Sequence, residues 1–183
     1  FWQAKDLAPN FSRLTAATYL LGGWYDVFVG GIFKLFCGLW EARRKKRDKK
    51  LKLLIGPWTH GLASGRVVGQ CDFGGHSLID IEGEKKRWLD RYLQNKKNKI
   101  DQEAPIKIFV MGENQWESLS HWPLPKTRYV SFYLGSQTAA NSLSGDGFLS
   151  EQLDSPKETD NYIYDPQNPV ETIGGAILLY DRP

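Results

Sequence analysis

Residues Leu53–Gly61 read LLIGPWTHG. Together with Leu51 and Lys52, the stretch opens as a nearly continuous apolar run, the pattern of a strand covered on both faces. Gly56-Pro57 is expected to end that strand at Ile55, and the turn beyond it presents His60. An earlier stretch has the same form. Ala16–Gly22 (AATYLLG) is a short apolar run, expected to stop at Gly22-Gly23, and Trp24-Tyr25-Asp26 follows. One candidate strand thus delivers an acid through GGWYD, and the other a histidine through GPWTH.

The intervening residues predict a helix over Val27–Arg44, because Phe28, Ile32, Leu35, Phe36, Leu39 and Trp40 recur at spacings of three and four. Gly30 and Gly31 weaken it, since interior Gly costs about 1 kcal/mol against Ala. It runs into RRKKRDKK, Arg43–Lys50, and positive charge suits a helix C-terminus. After His60 the Gly-rich segment 61–75 reads as loop. Helical spacing returns over Ser77–Gln94 through Leu78, Ile81, Trp88, Leu89, Tyr92 and Leu93. Strand, helix, strand, helix is an α/β pattern. The texture then changes. Ile106–Met111, Tyr129–Leu134, Tyr162–Tyr164 and Ala176–Tyr180 are short strand-like runs separated by Gly, Ser, Asn and Pro, as in antiparallel β structure. On composition a boundary falls near His121-Trp122-Pro123. Four or so strands are few for a jelly roll, so the β part reads as truncated. Both ends of the chain, Phe1 without a Met and the closing YDRP, read as cuts.

In open parallel sheets, ligand sites collect at the carboxyl ends of strands. Asp26 and His60 are one β-to-β crossover apart, which would bring both to that edge. An Asp that accepts the Nδ1–H of a His fixes its tautomer and stabilises the imidazolium, leaving the other nitrogen as a general base. The nucleophile is missing: no G-x-S-x-G is present, and Gly61-Leu62-Ala63-Ser64-Gly65 puts Ser in the fourth place. In α/β-hydrolases the order is Ser, then acid, then His, so a serine upstream of Phe1 would fit.

Other functions are weakly supported. A net charge of +3 is too small to imply a nucleic-acid partner, and RRKKRDKK lacks aromatic interleaving, so it reads as a solvated helix end. No apolar run is long enough for a membrane helix. Cys37 and Cys71 make no disulfide framework, which favours a reducing, cytoplasmic setting. His60, Cys71, Asp72 and His76 match no zinc spacing, and His76 and His121 read as structural or exposed. Asp72-Phe73-Gly74 stands without the other kinase motifs. Plainer roles exist for the candidates too: His60 as a turn histidine, Asp26 as an N-cap, Phe28 as helix core.

The ordered set GGWYDVF, LLIGPWTHG, CDFGG, KRWLDRYL and PIKIFVMGENQWESLSHWPLP, continuing into FYLGSQTAANSLSGDGFLS and DNYIYDPQNPVETIGG, resembles one family. It is the cocaine esterase and Xaa-Pro dipeptidyl-peptidase family of serine hydrolases, which includes α-amino-acid ester hydrolases and glutaryl-cephalosporin acylases. The resemblance covers nearly the whole chain and is specific to the family, not to a substrate. It implies the C-terminal part of an α/β-hydrolase sheet followed by the first strands of an all-β jelly roll. Residues 1–104 would be the end of the catalytic domain, with 1–15 following a missing cap insertion. Residues 105–183 would begin the truncated jelly roll. The family's catalytic Asp falls on Asp26 and its catalytic His on His60, and Phe28 falls where some of its esterases place an aromatic wall of the acyl pocket. The implied parent is a serine esterase or dipeptidyl-peptidase that acts on a small ester or peptide and needs no metal or organic cofactor. Its Ser and oxyanion-hole Tyr lie upstream, so the fragment alone is expected to be inactive. Unpaired strand edges also predict self-association, as a homodimer or with the rest of the protein. The alternative is a non-catalytic binding or scaffold piece with a β interaction surface.

Overall fold

The computed structural model describes residues 6–44, 50–61, 65–153, 159–170, 175–176 and 178. The chain forms two compact units, one of Phe1–Pro125 with Thr172–Pro183 and one of Lys126–Glu171.

The first unit is built on β1 (Thr18–Tyr25), α1 (Val29–Arg44), β2 (Leu51–Thr59), a small hairpin of β3 (Val67–Val68) and β4 (Cys71–Asp72), α2 (Ile81–Tyr92), β5 (Ile106–Val110) and β6 (Gln115–Leu119). β1, β2, β5 and β6 make one sheet in the order β1-β2-β5-β6. β2 pairs in parallel with both β1 and β5, and β6 returns antiparallel on β5. Every residue of β2 is buried, as its apolar run requires of a central strand. Its side chains alternate between two cores. Leu51, Leu53 and Ile55 pack with Phe36 and Leu39 of α1 and with Ile106 and Ile108 of β5. Leu54 and Trp58 pack with Ile81 of α2 and with Tyr19 and Leu21 of β1. Helices therefore cover both faces of the sheet, an α/β arrangement.

Two charged side chains join the helices to the strand ends. Arg43, buried at the end of α1, donates to the carbonyls of Leu14, Ala16 and Lys50 and ties together the segments that enter β1 and β2. On the other face Lys52 bonds Glu103 at 2.6 Å, Glu103 pairs with Arg87 of α2, Arg87 bonds Glu84, and Glu84 accepts from Tyr19. Burial disfavours the Glu103 carboxylate, yet the bonds from Lys52 and Arg87 outweigh it and hold its pKa below the ordinary value.

Several boundaries differ from the sequence reading. β1 continues through Gly22-Gly23, and β2 continues past Gly56-Pro57 to Thr59. The two breakers mark one irregularity: Gly23 pairs with Gly56, but Tyr25 pairs with Thr59, so β2 carries an extra residue there. Proline is tolerated at such a bulge. Gly23 admits it, because a Cβ at this position would lie 1.9 Å from the Trp58 carbonyl oxygen. α2 starts at Ile81 instead of Ser77, capped by Asp80, whose carboxylate accepts the Gly83 N–H. Within the expected loop 61–75 the β3–β4 hairpin forms around Gly69-Gln70. β5 pairs in parallel with β2, so the strand that opens the expected β part joins the same sheet. Gln115–Leu119 was not anticipated as a strand.

In the second unit, β7 (Tyr133–Gly135) and β8 (Phe148–Ser150) form an antiparallel ladder. Asp146 closes the intervening loop by accepting the N–H groups of Gln137, Thr138 and Ala139 and the Thr138 hydroxyl. The expected strand at Tyr129–Leu134 forms only from Tyr133, as far as its short partner reaches. Tyr162–Tyr164 is exposed and forms no ladder among the described residues. Most of Ala176–Tyr180 lies outside the described residues. No described helix is long and apolar enough to cross a membrane.

Candidate functional site

The last register pair between β1 and β2 is Tyr25 with Thr59. Asp26 and His60 are the next residues on each strand, so two adjacent parallel strands release them at the same sheet edge. The bulge sets this phase. Without the extra residue in β2, the partner of Tyr25 would be Trp58, and His60 would leave the sheet one residue later.

Asp26 is 4% exposed. Both of its carboxylate oxygens lie 3.2 Å from His60 Nδ1. Its Oδ1 also accepts the Phe28 N–H at 2.8 Å, an Asx-type turn that leads into α1. The Asp26 N–H donates to the Gly23 carbonyl, and the Asp26 carbonyl accepts from Val29, so the turn is bonded on both sides. Asp26 thus stands at the start of the turn that leads into α1. Its side chain holds the turn and the histidine together. The His60 side chain is 42% exposed, with Nδ1 committed to Asp26 and Nε2 left for another group.

Phe28 is 54% exposed, so it is not helix core. Its ring meets the His60 imidazole at a centroid distance of 4.9 Å, with the planes at 74°. The acid, the imidazole and the aromatic ring therefore form one cluster at the strand ends. The hairpin stands nearby: Phe73 packs against Tyr25 at 5.9 Å. Burial and the adjacent Cys71 push the Tyr25 phenol up in pKa, so it stays neutral at physiological pH. Sequence reading missed this hairpin, although Val-Val, a two-residue turn with Gly69 at positive φ, and Cys-Asp are a recognisable signal.

The remaining histidines lie elsewhere. His76 is exposed. His121 is bonded through Nδ1 to the Ser120 hydroxyl at 2.9 Å and stands against the Trp40 ring. Asp72 accepts from the Gly74 N–H and pairs with Arg66. Among the described residues no three His, Cys, Asp or Glu side chains converge as a metal site.

The model of the X-Pro dipeptidyl-peptidase S15 family matches residues 1–62, and that of the X-Pro dipeptidyl-peptidase C-terminal non-catalytic domain matches residues 98–174. The chain is 32% identical to the cocaine esterase of Rhodococcus sp. (strain MB1 Bresler), over 98% of the chain. It spans 31% of that protein's length. Among solved structures it is similar to an aminopeptidase from a marine sediment Thaumarchaeota archaeon, with a TM-score of 0.65 and 25% identity over 93% of this chain and 27% of that one. An α-amino acid ester hydrolase follows with a TM-score of 0.63 and 26% identity, over 93% of this chain and 28% of that one.

Proposed function

Since this chain belongs to the cocaine esterase and X-Pro dipeptidyl-peptidase family of hydrolases, we propose that the whole protein cleaves ester or amide bonds through a serine, with Asp26 and His60 as the other two members of a triad. The observation that carries this reading is the contact of the buried Asp26 carboxylate with His60 Nδ1 at the ends of two adjacent parallel strands. In this arrangement His60 Nε2 takes the proton from a serine hydroxyl as its oxygen attacks the acyl carbon. It then returns that proton to the departing alcohol or amine. Water repeats the sequence on the acyl-enzyme and releases the acid. Asp26 keeps the Nδ1–H tautomer and balances the charge of the imidazolium. Phe28, half exposed beside His60, borders the acyl group.

The serine lies outside these 183 residues, on a segment that completes the sheet beyond β1. The β7–β8 unit begins a jelly roll, and the free thiols of Cys37 and Cys71 fit a cytoplasmic protein. A fluorophosphonate probe applied to the full-length gene product tests the reading. The expected adduct is a single serine outside residues 1–183, formed far more slowly in His60→Ala. No labelling, or labelling indifferent to His60, would favour a non-catalytic binding role instead.

A further inference from the structure

Resting on that reading, we propose that Phe28 is a positioning residue for His60, in addition to bordering the acyl group. The Asp26 contact alone leaves the imidazole underdetermined. Both carboxylate oxygens lie at the same 3.2 Å from Nδ1, so the bond fixes that nitrogen without fixing the tilt of the ring about it. The other end of the ring, Nε2, is the atom that must meet the serine, and a small tilt moves it most.

Phe28 supplies the missing constraint from both halves of the residue. Its backbone N–H holds Asp26 Oδ1 at 2.8 Å, which sets the carboxylate plane. Its ring stands nearly perpendicular to the imidazole at 4.9 Å, a favoured aromatic geometry, which sets the tilt. The residue is itself anchored. Its carbonyl accepts the Ile32 N–H at 3.0 Å, and Ile32 seats where Gly22 of β1 leaves space, since a Cβ there would lie 2.4 Å from Ile32 Cδ1. A chain of contacts therefore runs from β1 through the first turn of α1 to the ring that braces His60.

The test uses the full-length protein with p-nitrophenyl acetate, butyrate and benzoate, and the variants Phe28→Leu, Phe28→Tyr and His60→Ala. Leu keeps an apolar side chain without the ring, and Tyr keeps the ring. The expected result is a fall in kcat for Phe28→Leu on the order of tenfold, shared by all three esters, with KM little changed. Phe28→Tyr should recover most of it. Fluorophosphonate labelling should slow by the same factor. A loss graded by acyl size, carried in KM and equal for Leu and Tyr, would overturn the inference and leave Phe28 as a pocket wall. If His60→Ala keeps full activity, the triad reading fails and this inference with it.

Discussion

Asp26 serves two partners with one carboxylate, and its burial makes the arrangement sensitive to a change of a single atom. In Asp26→Asn the amide oxygen can still accept the Phe28 N–H, but the amide NH2 then faces His60 Nδ1. That nitrogen must become an acceptor, which moves the proton to Nε2 and removes the base. The full-length variant should lose roughly three to four orders of magnitude in kcat, with a thermal midpoint close to that of the unaltered protein. A modest loss in the ester assay would show that His60 does not depend on this carboxylate. At this scale the sequence was informative. Two strand-like runs ending in an acid and a histidine one crossover apart suffice to bring them to one edge. What residue patterning alone could not convey was the second bond of Asp26, to the Phe28 N–H, or that Phe28 faces His60 and not the core. Helical periodicity counts an aromatic as apolar whichever way the first turn points it.

The elements take their register from a bulge made possible by glycine. Gly23→Ala would force a Cβ into the Trp58 carbonyl, 1.9 Å away, and backbone cannot give way as a flexible side chain can. A destabilisation of about 1–3 kcal/mol is expected, read from urea unfolding of the full-length protein. An unchanged midpoint would mean that the two strands do not meet this closely. A second element-scale effect concerns α2. Glu103 has a folded pKa below its ordinary 4.5, so it stabilises the fold fully above that value and loses the contribution as pH falls through the folded one. Glu103→Gln should therefore cost stability at neutral pH and flatten the acid limb below about 4.5. The cost should be only roughly 0.5 kcal/mol, since the Glu103 side chain is 40% exposed and screened by solvent. Parallel acid limbs in the two proteins would contradict the linkage. The helices and central strands were legible because their patterns are local. The strand ends were not, since Gly and Pro act as breakers only where no neighbouring strand makes use of them. β6 and β8 were missed for a related reason: QWESL and FLS become strands only through partners elsewhere in the chain.

As a whole, the 183-residue chain exposes a strand edge and several large apolar side chains. β1 stands at the edge of the sheet with eight residues. In the second unit Leu134, Leu143, Ile163 and Val170 are each at least 90% exposed. Expressed by itself, the chain should self-associate, since open strand edges and exposed apolar side chains both promote contact between copies. A monomeric mass by light scattering, with cooperative melting, would count against this. The central claim is that His60, oriented by Asp26, is the base of a serine hydrolase, and the hydrolysis of a chromogenic short-chain ester tests it most directly. The full-length protein should turn over, and its His60→Ala variant should fall by roughly four to six orders of magnitude in kcat. A full-length protein that is inactive, or as active without the imidazole as with it, would contradict the account.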